Sequence, residues 1–347
     1  MNEQKLVAIV ERMTTGRKGI LAIDESVATC NSRFAALGIA SSAAKRRAWR
    51  DLLVTAPGLQ ERIAAVILSD ETIGQRTTDG LLFADALAAR GMIAGVKVDT
   101  GVTPFLTPAA ADSGELVTQG LDELALRLAA YRLQGAQFAK WRAVLCIDDA
   151  LPTRACTVAN AHALARFAAL CQEAGMVPIV EPEILMAGDH SLLTCGTVTE
   201  YVLRLVFEQL VEQRVVLEAM ILKTAMVLPG TDCSQQVAPA LVAESTLRTL
   251  RRAVPAAVGA VAFLSGGQSP LMATARLNAM HDSARQHPWP LTFSFGRAIQ
   301  EPALAQWRGR GGNTRAAQAL LVHRAACNGA ARGGAYNTAI EDGRDLS

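Results

Sequence analysis

The chain has 347 residues, half of them hydrophobic, which is ample material for a large buried core. A formal net charge of +2 supplies no reason to expect nucleic acid or an anionic membrane as a partner. Seven scattered cysteines without a CxxC pair argue against a disulfide framework or a structural zinc site and for a reducing compartment; with no signal-peptide core and no membrane-length apolar run, the expected location is the cytoplasm.

Short apolar, often β-branched runs alternate with longer amphipathic segments along the whole chain. The first strand is expected at 20–24 and ends on Asp24; the second covers 63–68. The third, 93–98, carries Lys97 and runs into Asp99, and the fourth, 138–147, contains Lys140 and Arg142. The fifth, 177–181, ends at Glu181, with Glu183 two residues on. Lys223 lies late in the sixth, 217–227; the seventh, 258–264, leads to Ser265, and the eighth covers 291–295. Helical patterns fall at 45–56, 79–90, 121–134, 158–174, 198–213, 238–253 and 271–285. Eight strands, each followed by a helix, predict an α/β fold: a single-domain (β/α)8 TIM barrel with extra N-terminal and C-terminal helical segments. A doubly wound open sheet is the competing architecture, but no GxGxxG turn supports it. The Gly-rich stretch 308–314 reads as a flexible linker, 314–331 as a helix, and 333–347 as a flexible polar tail.

The barrel makes a demand that the polar residues meet, since catalytic groups belong at the C-terminal ends of its strands. Strand alternation puts Lys140 with Arg142, and Glu181 with Glu183, on shared faces. Lys97, Lys140 and Lys223 are three of only six lysines, and all three interrupt apolar runs. One such lysine alone could snorkel from a strand end. Three together point to Schiff-base chemistry, because an amine attacks carbonyl carbon and a guanidinium does not. Mutual repulsion and apolar walls are expected to lower a lysine pKa towards ~7. A neutral Lys223 then adds to a ketone, Glu181 or Glu183 supplies the acid that expels water, and Asp24 or Glu181 takes the hydroxyl proton when the C–C bond breaks. Glycines 266, 267 and 296 let backbone N–H groups approach an anion, and Arg297 can fork onto its oxygens in the loops after strands seven and eight. The five histidines show no HxH or HExxH spacing, so no metal and no other cofactor is expected.

Several of these stretches resemble the class I fructose-bisphosphate aldolases of the animal and plant type: Gly19-Ile-Leu-Ala-Ile-Asp-Glu-Ser26, Gly95-Val-Lys-Val-Asp99, Phe138-Ala-Lys-Trp-Arg142, Val177-Pro-Ile-Val-Glu-Pro-Glu-Ile-Leu185, Leu222-Lys223, Phe263-Leu-Ser-Gly-Gly-Gln-Ser269 and Phe293-Ser-Phe-Gly-Arg-Ala298. They occur in the family's order across almost the whole expected barrel. The resemblance implies reversible aldol cleavage of fructose 1,6-bisphosphate in glycolysis and gluconeogenesis, without metal, by a homo-oligomer that is commonly a tetramer in the family. It also implies roles. Lys223 matches the Schiff-base lysine, Glu181 the general acid/base, and Glu183 a carboxylate that pairs with active-site lysines. Lys140 matches the lysine assisting the carbinolamine and cleavage steps, and Asp24 the carboxylate near the C4 hydroxyl. Ser265, Gly266, Gly296 and Arg297 match the ligands of one phosphate; Ser26, Arg33, Lys97 and Arg142 fall where the rest of the sugar phosphate binds.

Three departures stand out. Thr224-Ala225 follows the lysine where the family usually reads Pro-Asn, and Ser32 precedes Arg33 where lysine is common, which bears on affinity for the second phosphate. The chain ends Asp345-Leu-Ser347 rather than in tyrosine, with Tyr336 its last tyrosine. A Schiff-base aldolase for a related sugar phosphate is therefore a second reading. A non-catalytic barrel is a third, against which stands the presence of Lys223, Glu181, Lys140 and Asp24 together.

Overall fold

Residues 2–105, 114–281 and 287–343 are described by the computed structural model. Ten strands form in chain order: β1 (Gly19–Ala22), β2 (Ile63–Leu68), β3 (Ile93–Lys97), β4 (Gly101–Pro104), β5 (Leu116–Gln119), β6 (Phe138–Leu145), β7 (Val177–Ile184), β8 (Ile221–Thr224), β9 (Ala260–Phe263) and β10 (Leu291–Phe295). Eight of them close into a barrel in the order β1-β10-β9-β8-β7-β6-β3-β2, every pair parallel, while β4 and β5 make a separate antiparallel hairpin. The expected barrel is the observed one.

Two apolar layers follow from strand alternation. Outward-facing residues such as Leu21, Val66, Val96, Trp141, Leu222 and Phe263 pack under the surrounding helices. Inward-facing Ile20, Ala65, Ile67, Ile93, Phe138, Ile179 and Ala262 fill the lower barrel. Gly95 faces inward too, and an added Cβ would lie 2.3 Å from the Phe138 ring, so glycine makes room for the large aromatic. The helix Glu3–Thr14, capped by Asn2, presents Leu6, Val10 and Met13 at i, i+4 and i+7 to this lower layer. Each such side chain contributes ~1.5–3 kcal/mol by leaving water. The barrel is therefore sealed at the bottom and open at the top.

Differences from expectation have local causes. The 217–227 run divides into a 3₁₀ turn (Leu217–Ala219), β8 and an extended loop, because only Ile221–Thr224 find parallel partners on β9. The helix expected at 79–90 is shortened to Phe83–Ala88, since Thr77–Leu81 form a tight turn through Gly80. The helix expected at 271–285 is seen as Pro270–His281, and 282–285 lie outside the described residues.

The Gly-rich stretch is not a loose linker but a tight connection. Arg308 and Gly309 take left-handed backbone angles, Asn313 Nδ2 donates to the carbonyls of Gln306 and Trp307, and Lys45 Nζ donates to that of Gly309 at 2.5 Å. Nor is 333–343 a free tail. A short helix (Thr338–Glu341) lies against the Thr314–Arg332 helix, with Glu341 on Arg324, and Tyr336 packs on the main core. Residues 344–347 fall outside the described set.

Candidate active site

The same alternation that fills the lower barrel with hydrocarbon aims polar groups into its mouth. On β6 the inward series is Phe138, Lys140, Arg142; on β7 it is Val177, Ile179, Glu181, Glu183; on β8 it is Ile221, Lys223. Register pairs Lys97 with Lys140, and Arg142 with Glu181, across neighbouring strands. Glu181 is thereby held between two amines: its Oε1 is 2.9 Å from Lys223 Nζ and its Oε2 is 2.9 Å from Lys140 Nζ. Lys140 Nζ also lies 2.7 Å from Asp24 Oδ2 at the end of β1. Lys97 pairs with Asp99, two residues on along the same face.

Above these groups opens a cavity of about 510 Å³. Asp24, Ser26, Lys97, Lys140, Arg142, Glu181, Glu183, Lys223, Ser265, Gly266, Gly296 and Arg297 all line it, as the sequence led one to expect. Arg33 does not. Its guanidinium is turned onto Glu25, beside the cavity rather than in it. Glu183 also departs from expectation: its partner is Arg142, not a lysine. Register explains this, because Glu183 stands opposite Val144, one inward position above Glu181 and beyond the lysine layer.

Sequence reasoning passed over Glu25, Thr29 and Ser294 as lining groups. Spacing could have found two of them. Thr29 sits one turn past Ser26, the N-cap of the Val27–Ala35 helix, and Ser294 is inward by parity with Thr292. The hairpin β4–β5 was missed entirely. It overhangs the mouth with Gly101, Val102 and Leu116, pinned by Thr118 Oγ1 donating to the Arg142 carbonyl at 2.8 Å.

The electrostatics reverse one expectation. Burial lowers the Lys140 pKa, but the carboxylates of Asp24, Glu181 and Asp99 outweigh it, so this amine titrates above its ordinary value rather than near neutrality. Lysines repel one another here less than carboxylates between them attract. Burial raises the Asp24 carboxyl, yet Lys140 and Lys223 prevail and bring it to about 2. Glu181 is likewise lowered, burial opposing and the same two ammoniums prevailing. The floor of the cavity is an alternating lattice of charges, with Lys140 2.7 Å from Asp24 and both Lys140 and Lys223 2.9 Å from Glu181.

At the ends of β9 and β10, Gly266 adopts φ +53 and Gly296 precedes the Arg297–Trp307 helix, and Gly266, Gly296 and Arg297 all lie on the cavity wall. Arg297 spans the two loops, donating to the Gly266 carbonyl at 2.8 Å. Among the described residues no group of three or more His, Cys, Asp or Glu side chains is placed to hold a metal ion.

The family model described as "Fructose-bisphosphate aldolase class-I" matches residues 5–346. The chain belongs to the class I fructose-bisphosphate aldolase family. It is 49% identical over 332 residues to "Probable fructose-bisphosphate aldolase class 1" of Xanthomonas campestris pv. campestris, covering 95% of this chain and 98% of the relative. It is 46% identical over 332 residues to the cytosolic fructose-bisphosphate aldolase 5 of Arabidopsis thaliana, covering 96% and 91%. A solved structure of fructose-bisphosphate aldolase from Plasmodium falciparum, in complex with TRAP and a small molecule inhibitor, superposes with a TM-score of 0.92 at 41% identity, covering 96% of each chain. Within this aldolase barrel, Thr224 after Lys223 is buried and is the last residue of β8.

Proposed function

We propose that this aldolase cleaves fructose 1,6-bisphosphate reversibly to dihydroxyacetone phosphate and glyceraldehyde 3-phosphate, with Lys223 as the Schiff-base amine. The observation that carries the assignment is Glu181 held 2.9 Å from both Lys223 and Lys140. One proton passing from Lys223 to Glu181 converts an ion pair into an amine and an acid, while Lys140 stays charged beside them. The amine adds to C2 of the open-chain ketose. Glu181 returns its proton to the departing hydroxyl, water leaves, and an iminium remains. Asp24 takes the C4 hydroxyl proton as the C3–C4 bond breaks, and the electron pair enters the iminium to give an enamine. Lys140, whose carboxylate neighbours keep it charged, lies 2.7 Å from Asp24 and stabilises the alkoxide that develops at C4 as the proton leaves. Protonation of the enamine at C3 and hydrolysis restore the amine.

Ser265, Gly266, Gly296 and Arg297 hold one phosphate, while Ser26, Arg33, Lys97 and Arg142 take the remainder of the sugar phosphate, with Glu183 holding Arg142 in place. The same reading takes the chain as one domain, acting without a cofactor as a homo-oligomer, tetrameric as is common in the family. It places the protein in the cytoplasm, supported by a relative named cytosolic; among the described residues no helix is long and apolar enough to cross a membrane.

Borohydride reduction in the presence of dihydroxyacetone phosphate, followed by peptide mapping, tests the assignment. The label is expected on Lys223, and Lys223→Arg should abolish trapping and cleavage together. Recovery of the label on Lys140 or Lys97, with Lys223 unmodified, sinks it.

A further inference from the structure

Charge is balanced in the cavity to a degree that a bisphosphate must disturb. Five cationic and five carboxylate side chains line it, and four of the cations already sit on carboxylates. Among the described residues only Arg297, bound to a backbone carbonyl, is a lining cation without such a partner. One phosphate therefore finds an unpaired guanidinium at the β9–β10 side. On the β1 side the cation within reach is Arg33. It lies on the helix face of Ser26 and Thr29, at i, i+3 and i+7, one turn beyond the cavity wall. Arg33 is bound to Glu25, whose side chain is 15% exposed and does line the cavity.

Glu25 is fixed from behind. Its other oxygen lies 2.7 Å from Arg50, a guanidinium only 3% exposed, while Gln300 Nε2 donates at 2.7 Å to the same Oε1 that Arg33 holds and also to the Ala22 carbonyl. Arg33 can leave Glu25 without stranding a buried carboxylate, because Arg50 and Gln300 remain. Arg50, being buried, cannot make the same exchange. The pair is thus built with one movable and one fixed cation.

We propose that Glu25 is a specificity-determining residue: it withholds Arg33 from the cavity, and a substrate's second phosphate must win Arg33 from it, so Glu25 sets the balance between bisphosphate and monophosphate ketoses. Ser32 adds no second cation at this position. The inference rests on the aldolase reading above but is separable from it, because borohydride trapping with dihydroxyacetone phosphate, which has one phosphate, does not involve Arg33.

The test is the ratio of kcat/KM for fructose 1,6-bisphosphate over that for fructose 1-phosphate. In Glu25→Gln the ratio should rise about 2- to 5-fold, the scale of a partly exposed ion pair, chiefly through the KM of the bisphosphate. A ratio that stays the same or falls overturns the proposal. Arg33→Ala tests the same claim without touching the buried side of the network, and should lower the ratio about 10-fold or more, since a charge-assisted phosphate contact is removed. An unmoved ratio there would also overturn it. Failure of trapping on Lys223 in the unaltered enzyme would instead sink the aldolase assignment.

Discussion

At the Asp24–Lys140 pair the directions of the two shifts fix how the site responds to pH. Asp24 is lowered from 3.8 to about 2, so its contribution to stability is fully present above pH ~4 and is lost as pH falls through about 2. Lys140 is raised above 10.5, so its contribution is fully present below 10.5 and is lost only as pH rises through that higher value. The charged cluster therefore holds together across the neutral range. Asp24→Asn should abolish cleavage and also flatten the acid limb of stability. Between pH 5 and 2 the variant should lose about 2 kcal/mol less than the unaltered protein, measured from urea midpoints. Equal acid losses in the two proteins would show that the pair is not coupled to folding.

The last element of the described chain explains what becomes of Tyr336. Its hydroxyl donates to Glu341 Oε2 at 2.7 Å and its backbone N–H to Asn278 Oδ1 at 2.9 Å, which keeps it on the outside of the barrel, against the Pro270–His281 helix. Tyr336 is not among the residues lining the cavity. Tyr336→Phe is therefore expected to leave proton exchange at C3 of dihydroxyacetone phosphate within about twofold, well short of the 10²–10⁴ of a positioned acid. The clasp itself should matter to stability. Arg324 is buried and Glu341 partly exposed, so Glu341→Ala should cost about 1–2 kcal/mol in thermal or urea unfolding. The polar composition of this segment had suggested a loose end; one buried arginine, remote in sequence, supplies the anchor.

Across the whole molecule the barrel brings seven distant strand ends to one cavity, and the chemistry asked of that cavity needs no metal because the iminium accepts the electron pair. Incubation with EDTA should leave cleavage unchanged; loss of activity that zinc or cobalt restores would contradict the Schiff-base route. Much of this architecture was legible beforehand because an α/β barrel writes its period into the chain. Buried strands leave short apolar runs, helices leave 3.6-residue patterns, and the polar residue closing each run marks the open end. The hairpin β4–β5 left no such mark. Gly101–Pro104 is largely exposed and carries no apolar run, so its pairing with Leu116–Gln119 depends on contacts to β6 and to Asn160.

Composition and order along the chain determined the kind of fold, the strands that bear function, and the short roster of amines and carboxylates that could meet in the mouth. Local spacing suffices for these, since alternation along a strand decides which side chains share a face. Pairing was decided only by the closed barrel. Sequence spacing says that Glu181 and Glu183 point the same way, but register across β6 and β7 gives Glu181 to the lysines and Glu183 to Arg142. Closure likewise brought Asp24 to Lys140 and Glu25 to Arg50 and Gln300. The lysine pKa depends on those partners: repulsion among amines was readable in the sequence, while the carboxylates that reverse it for Lys140 arrive from strands far apart in the chain.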